Sequence, residues 1–130
     1  MKNYRDLLVW QKSMALAKDV YQVVKLLPRD ELFGLSDQIR RAVVSIPSNI
    51  AEGCARESER EFLHYLSIAQ GSTAELETQL LLCEDFGYIE QNAIQPVLQS
   101  CEEVSKMLHA LSSKLKASLG SAVKVTKANS

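Results

Sequence analysis

Proline and glycine are scarce in this chain, three and five among 130 residues. Little therefore interrupts it, and few places are left for it to turn. Aromatic residues make up only 6%, while Leu, Ala, Glu, Gln and Lys are abundant, a balance that favours helix. No apolar run approaches the ~20 residues that a membrane span needs. The three cysteines, Cys54, Cys83 and Cys101, are odd in number, far apart and without a CxxC pair, which argues against a disulfide framework or a zinc site. Histidine occurs twice, and between Glu61 and Glu103 there is no lysine or arginine against eight acidic residues. The first residues, MKNYRDLLVWQK, mix charges with apolar side chains too closely for a signal peptide, so the expected location is the cytoplasm.

What is present is a helical pattern of heptad type. Leu7, Trp10, Met14, Ala17, Tyr21 and Val24 form one apolar stripe, and Leu32, Leu35, Ile39, Val43, Ile46 and Ile50 a second. Phe62, Leu66, Ala69, Thr73, Leu76, Leu80 and Cys83 form a third, and Ile94, Val97, Cys101, Val104, Leu108, Leu111 and Leu115 a fourth. Spacings of three and four place each set on one face of a helix. The expected fold is all-α, an antiparallel up-down-up-down four-helix bundle, with residues 1–119 as its single domain and 120–130 as a disordered tail. Cys83 and Cys101, on apolar positions, are read as small buried side chains.

The boundaries fit this count. Pro28 closes the first helix, and Asp30 or Ser36 caps the second. Gly53 is a natural end for the second helix. Ser58 with Glu61 matches a capping box for the third. Gly87 ends the third, Asn92 caps the fourth with Pro96 in its first turn, and Gly120 ends it.

Three features go beyond what a simple bundle requires. Pro47 stands inside the second helix, where it removes a hydrogen bond and clashes with the carbonyl of Val43, at about 3 kcal/mol. The apolar phase continues across it, so a kinked but continuous helix is expected. Gln38, Arg41, Ser45, Asn49, Glu52 and Arg56 form a polar stripe beside the apolar one, either a solvated face or a hydrogen-bonded contact surface. In the third helix, Gly71 sits where glycine costs ~1 kcal/mol relative to alanine, and it would let another backbone come close. The first helix carries a second apolar row, Val9, Leu16, Val20, Val23 and Leu27. A helix with two apolar faces buries both, so this row is assigned to a subunit interface together with Ser45, Asn49 and Glu52.

The blocks LSDQIRRAVVSIPSNIAEG and EFLHYLSIAQGSTAELETQLLL, then FGYI, resemble the four-helix-bundle family of proteins encoded in intervening sequences of bacterial 23S ribosomal RNA genes. The N-terminal LLVWQKSMALAKDVY and the LP before the second helix also fit. The resemblance spans about residues 4 to 115. It implies an antiparallel four-helix bundle, assembly as a homopentamer, and a molecular function that is not established. Relatives include the accessory variability protein of diversity-generating retroelements, a pentameric barrel that binds nucleic acid and a reverse transcriptase. Those accessory proteins are strongly basic, whereas this chain has a net charge of −1.

No catalytic constellation is legible. His64 and His109 lack a nucleophile at a recognisable spacing. Glu61 and His64 make one ExxH, but a di-iron bundle needs two and Lys106 precedes His109 at that spacing. There is no glycine-rich phosphate loop. The expectation is a non-enzymatic protein with no cofactor and no metal, either an oligomeric interaction scaffold for another protein or a binder of RNA or DNA. In the second case the contacts are assigned to Arg40, Arg41, Arg56 and Arg60, with Lys2, Arg5, Lys12, Lys114 and Lys116 as further cations.

Overall fold

A computed structural model describes the backbone of residues 3–129 and the side chains of residues 3–120. It has four α-helices: α1 (Leu8–Val24), α2 (Leu35–Cys54), α3 (Glu59–Asp85) and α4 (Gln91–Asn129). Short 3-10 turns at Tyr4–Asp6 and Arg29–Glu31 precede α1 and α2. Each helix packs on the next in chain order, and α4 closes the set by packing on α1. Ser45 meets Ser72 midway along α2 and α3, and Gly53 meets Phe62 and Tyr65 near their junction, contacts that run in opposite senses along the two helices. At the far end Tyr88 donates a hydrogen bond to Glu31 Oε2 at 2.9 Å, tying the α3–α4 connection to the α1–α2 connection.

The core consists of aliphatic side chains contributed by all four helices. Leu16 and Val20 from α1, Ile39, Val43, Ile46 and Ile50 from α2, Leu66, Leu76 and Leu80 from α3, and Ile94 and Leu108 from α4 are essentially inaccessible. Each such side chain contributes about 1.5–3 kcal/mol by leaving water. The stripes expected on α3 and α4 are the buried ones, apart from half-buried Phe62, Leu111 and Leu115. On α2 the stripe is half-buried at Leu35 and buried from Ile39 on, whereas Leu32 lies in the turn before the helix and is exposed.

On α1 the expected assignment is overturned in part: of the row assigned to the core, Leu7, Trp10 and Ala17 are half-buried and pack against it. Val9, Leu16, Val20, Val23 and Leu27, assigned from sequence to a subunit interface, are buried inside the protomer. Met14 and Tyr21, assigned to the core, are 40% and 41% exposed, although Val24 is buried as expected. The reason is Ser13. It is fully buried and donates its hydroxyl to the Trp10 carbonyl at 2.8 Å, so it occupies a core position while looking polar in sequence. With Ser13 included, positions 9, 13, 16, 20, 23 and 27 form an unbroken alternation of fours and threes.

Several boundaries also differ from expectation. Ser58 does cap α3, accepting from the Glu61 N–H at 3.1 Å. Gly87, at φ 77°, ends α3 with paired bonds from the Tyr88 N–H to the Cys83 carbonyl and from the Gly87 N–H to the Glu84 carbonyl. Neither Asp30 nor Ser36 caps α2; instead Glu31 Oε1 accepts from the Leu35 N–H at 3.3 Å. The first turn of α4 is closed by the Glu90 carbonyl, so Asn92 lies inside the helix and Pro96 in its second turn. Gly120 does not stop α4, which continues to Asn129.

Pro47 is buried within an unbroken α2. Beside it the Asn49 amide donates to both the carbonyl and the hydroxyl of Ser45, at 2.8 and 2.9 Å. Gly53 is not a left-handed stop. It is a close-approach position: a Cβ there would lie 2.6 Å from Tyr65 Cβ and 3.0 Å from Phe62 Cδ1.

Candidate interaction surface

The polar stripe of α2 has two fates. Ser45 and Asn49 are half-buried, and Ser45 Oγ shares a 2.8 Å hydrogen bond with Ser72 Oγ, so this part of the stripe joins α2 to α3 within one protomer. The ends of the stripe are solvated ion pairs: Arg41 with Asp37 at 2.9 Å and Arg56 with Glu52 at 3.0 Å. Exposed i,i+4 pairs of this kind contribute only about 0.3–0.5 kcal/mol each. Glu52 is thus engaged within its own chain.

The four candidate arginines do not form one patch. Arg40 and Arg56 are sixteen positions apart, about 24 Å at the helical rise. Arg40 donates to the Leu32 carbonyl at 3.3 Å. Arg56 lies 5.0 Å from the centre of the Tyr65 ring and donates to the Tyr65 hydroxyl at 2.7 Å. Its pKa is raised, first by the hydrogen bond to Glu52 and then by Tyr65. Arg60 is exposed beside Glu59 and Glu61, and a shallow groove of ≈ 330 Å³ joins it to Arg56, His64 and Tyr65. Three glutamates, Glu57, Glu59 and Glu61, flank this corner and oppose an anionic ligand.

The feature that sequence reasoning missed is the outer surface shared by α1 and α2. Met14, Tyr21 and Val44 are all about two-fifths exposed, with Leu32 at the same level. Three surface grooves meet at Tyr21: one reaches Met14 and Lys18, one reaches Val44 and Arg41, and one reaches Leu32 and Lys25. The signal was present in sequence, because α1 does have two apolar rows; the deeply buried one is the row assigned to the interface, and Met14 and Tyr21 of the other are exposed. A second apolar group lies at the end of the bundle holding the α1–α2 connection, where Phe33 is 91% and Phe86 56% exposed.

Among the described residues no group of three or more His, Cys, Asp or Glu is placed to hold a metal ion. Burial, with Glu31 adding to it, pushes the Cys83 thiol up to about 11; burial, with Glu77 adding to it, pushes Cys101 up to about 12. Both thiols therefore stay protonated and unreactive at neutral pH. Above the ordinary thiol value of 9.0 the unfolded chain loses protons that the folded chain keeps. Stability from these groups is thus expected to be complete below about pH 9 and to fall as pH rises toward 11 and 12. Urea denaturation at stepped pH should show a smaller fall in Cys101→Ala than in the parent; an equal fall would contradict this assignment.

Among the described residues no helix is long and apolar enough to cross a membrane. No curated protein matches the chain. A solved structure from Bacteroides thetaiotaomicron, described as a protein of unknown function from the S23 ribosomal protein family, is similar at 28% identity and a TM-score of 0.75, covering 80% of this chain and 97% of its own. The family model for the 23S rRNA-intervening sequence protein matches residues 5–110, taking in α1, α2, α3 and most of α4. On that match the chain belongs to the family of 23S rRNA-intervening sequence proteins.

Proposed function

We propose that the chain is a non-enzymatic subunit of a symmetric homo-oligomer, a pentamer, that acts in the cytoplasm as an interaction scaffold for another protein. The observation that carries this reading is the Tyr21 surface, where Met14, Tyr21, Leu32 and Val44 are exposed together across α1 and α2. A contiguous apolar surface of this kind favours a protein partner over solvent. The α1 surface is tested by Tyr21→Glu. Sedimentation velocity is expected to show an oligomer for the parent and a folded monomer for the variant. A variant that sediments like the parent would remove Tyr21 from the interface.

A second reading, binding of RNA or DNA, is favoured by Arg40 and Arg41 beside the Tyr21 groove of ≈ 440 Å³. It is weakened by the separation of the arginine pairs and by the partners of Arg41 and Arg56. If it holds, charge reversal at Arg40 and Arg41 abolishes binding and flattens its salt dependence, because fewer counterions are released. No binding by the parent at low salt would leave the scaffold reading alone.

A further inference from the structure

We propose that the outer face of α3 is the docking surface for the Tyr21 face of a second copy of this chain; this rests on the oligomeric reading above. The inner face of α3 is occupied by Leu66, Ala69, Thr73, Leu76, Leu80 and Cys83, all buried. The helical period puts Ile68, Gly71, Glu75 and Leu82 on the opposite side. There Ile68 is 39% and Leu82 37% exposed. Two apolar side chains, about 21 Å apart at the helical rise, thus lie on a face that no other helix of the protomer covers.

Gly71 is the second observation. A Cβ built there meets nothing within 4 Å, so no contact inside the protomer demands a glycine. In a helix interior glycine is less favourable than alanine by about 1 kcal/mol. Between exposed Ile68 and Leu82, a residue without a side chain leaves a shallow notch that a large side chain from outside can enter.

Charge identifies the occupant. The α3 face carries Glu75 and Asp85, and the sequence holds no lysine or arginine from Glu61 to Glu103. The Tyr21 face carries Lys18, Lys25, Arg40 and Arg41 against Asp19 and Asp37. One face is acidic and apolar, the other cationic and apolar, and both belong to the same chain. Opposite potentials across a contact guide association and suppress wrong pairings. The two faces are different and lie on different helices, so each copy can engage one neighbour with each face. Such a heterologous contact generates a ring when its rotation closes.

The test is a charge exchange on the full chain, read by sedimentation velocity across a concentration series. Glu75→Lys with Asp85→Lys is expected to weaken assembly at least tenfold, as is Lys18→Glu with Lys25→Glu. The chain carrying all four substitutions is expected to regain assembly. Gly71→Trp is expected to block assembly while the circular dichroism melt shows a folded protomer, since the position is open. If the parent assembles and Tyr21→Glu disrupts it, yet the α3 variants assemble like the parent, the α3 assignment is overturned and the oligomeric reading stands. If the parent is a monomer, both are overturned.

Discussion

Leu16→Ala is expected to cost about 2–5 kcal/mol of folding stability, the range for truncating a large aliphatic side chain in a packed core. Leu16 is 1% exposed, with Val20 at 0% one turn away on the same face. Removing a methine and two methyl groups there leaves a cavity that the packed helices cannot readily close. The control lies two positions earlier. Met14→Ala, at a side chain 40% exposed, is expected to change protomer stability by well under that amount and to weaken self-association instead. Urea denaturation of the two variants decides between the faces of α1. If Met14→Ala proves the more destabilising to the protomer, the apolar rows have been assigned wrongly.

That assignment shows how far the sequence carries. On α3 and α4 one apolar row keeps regular heptad spacing, and it is the buried one. On α1 there are two, and periodicity cannot choose between rows that both satisfy it. The choice is made by packing, and the clue was a serine. Ser13 completes the buried heptad by satisfying its hydroxyl on the Trp10 carbonyl, which no apolar count detects. The same limitation hid the candidate surface, since Met14 and Tyr21 read as core although both are exposed. The helix ends divide similarly. Ser58 and Gly87 are governed by local chemistry and were legible. Glu31 acts through its side chain across a 3-10 turn, and the Glu90 carbonyl acts through the backbone, so neither resembles a cap in sequence. Gly53 was legible as special but for the wrong reason: its φ is not left-handed, and the demand comes from Tyr65 on the next helix.

Gly53 carries the second large effect. A Cβ there would lie 2.6 Å from Tyr65 Cβ, 3.0 Å from Phe62 Cδ1 and 3.3 Å from the Phe62 carbonyl oxygen. The nearest of these atoms sits at the root of its side chain, so a rotamer change does not relieve it. The helix ends must move apart, across the shortest connection in the bundle. Gly53→Ala is expected to destabilise by about 1–3 kcal/mol, the usual cost of overpacking, even though alanine is the better helix former. Gly71→Ala provides the contrast: with nothing within 4 Å it is expected to stabilise the isolated protomer by up to about 1 kcal/mol. Thermal melts of the two variants should therefore shift in opposite directions. A neutral Gly53→Ala would mean that α2 and α3 do not approach as closely as described.

The central claim is that this bundle works as part of an assembly of its own copies. Native mass spectrometry of the full chain at micromolar concentration tests it most directly. The account predicts a single dominant species at five times the 14.5 kDa of one chain, which Tyr21→Glu converts to protomers. A parent protein that remains at the mass of one chain would contradict it.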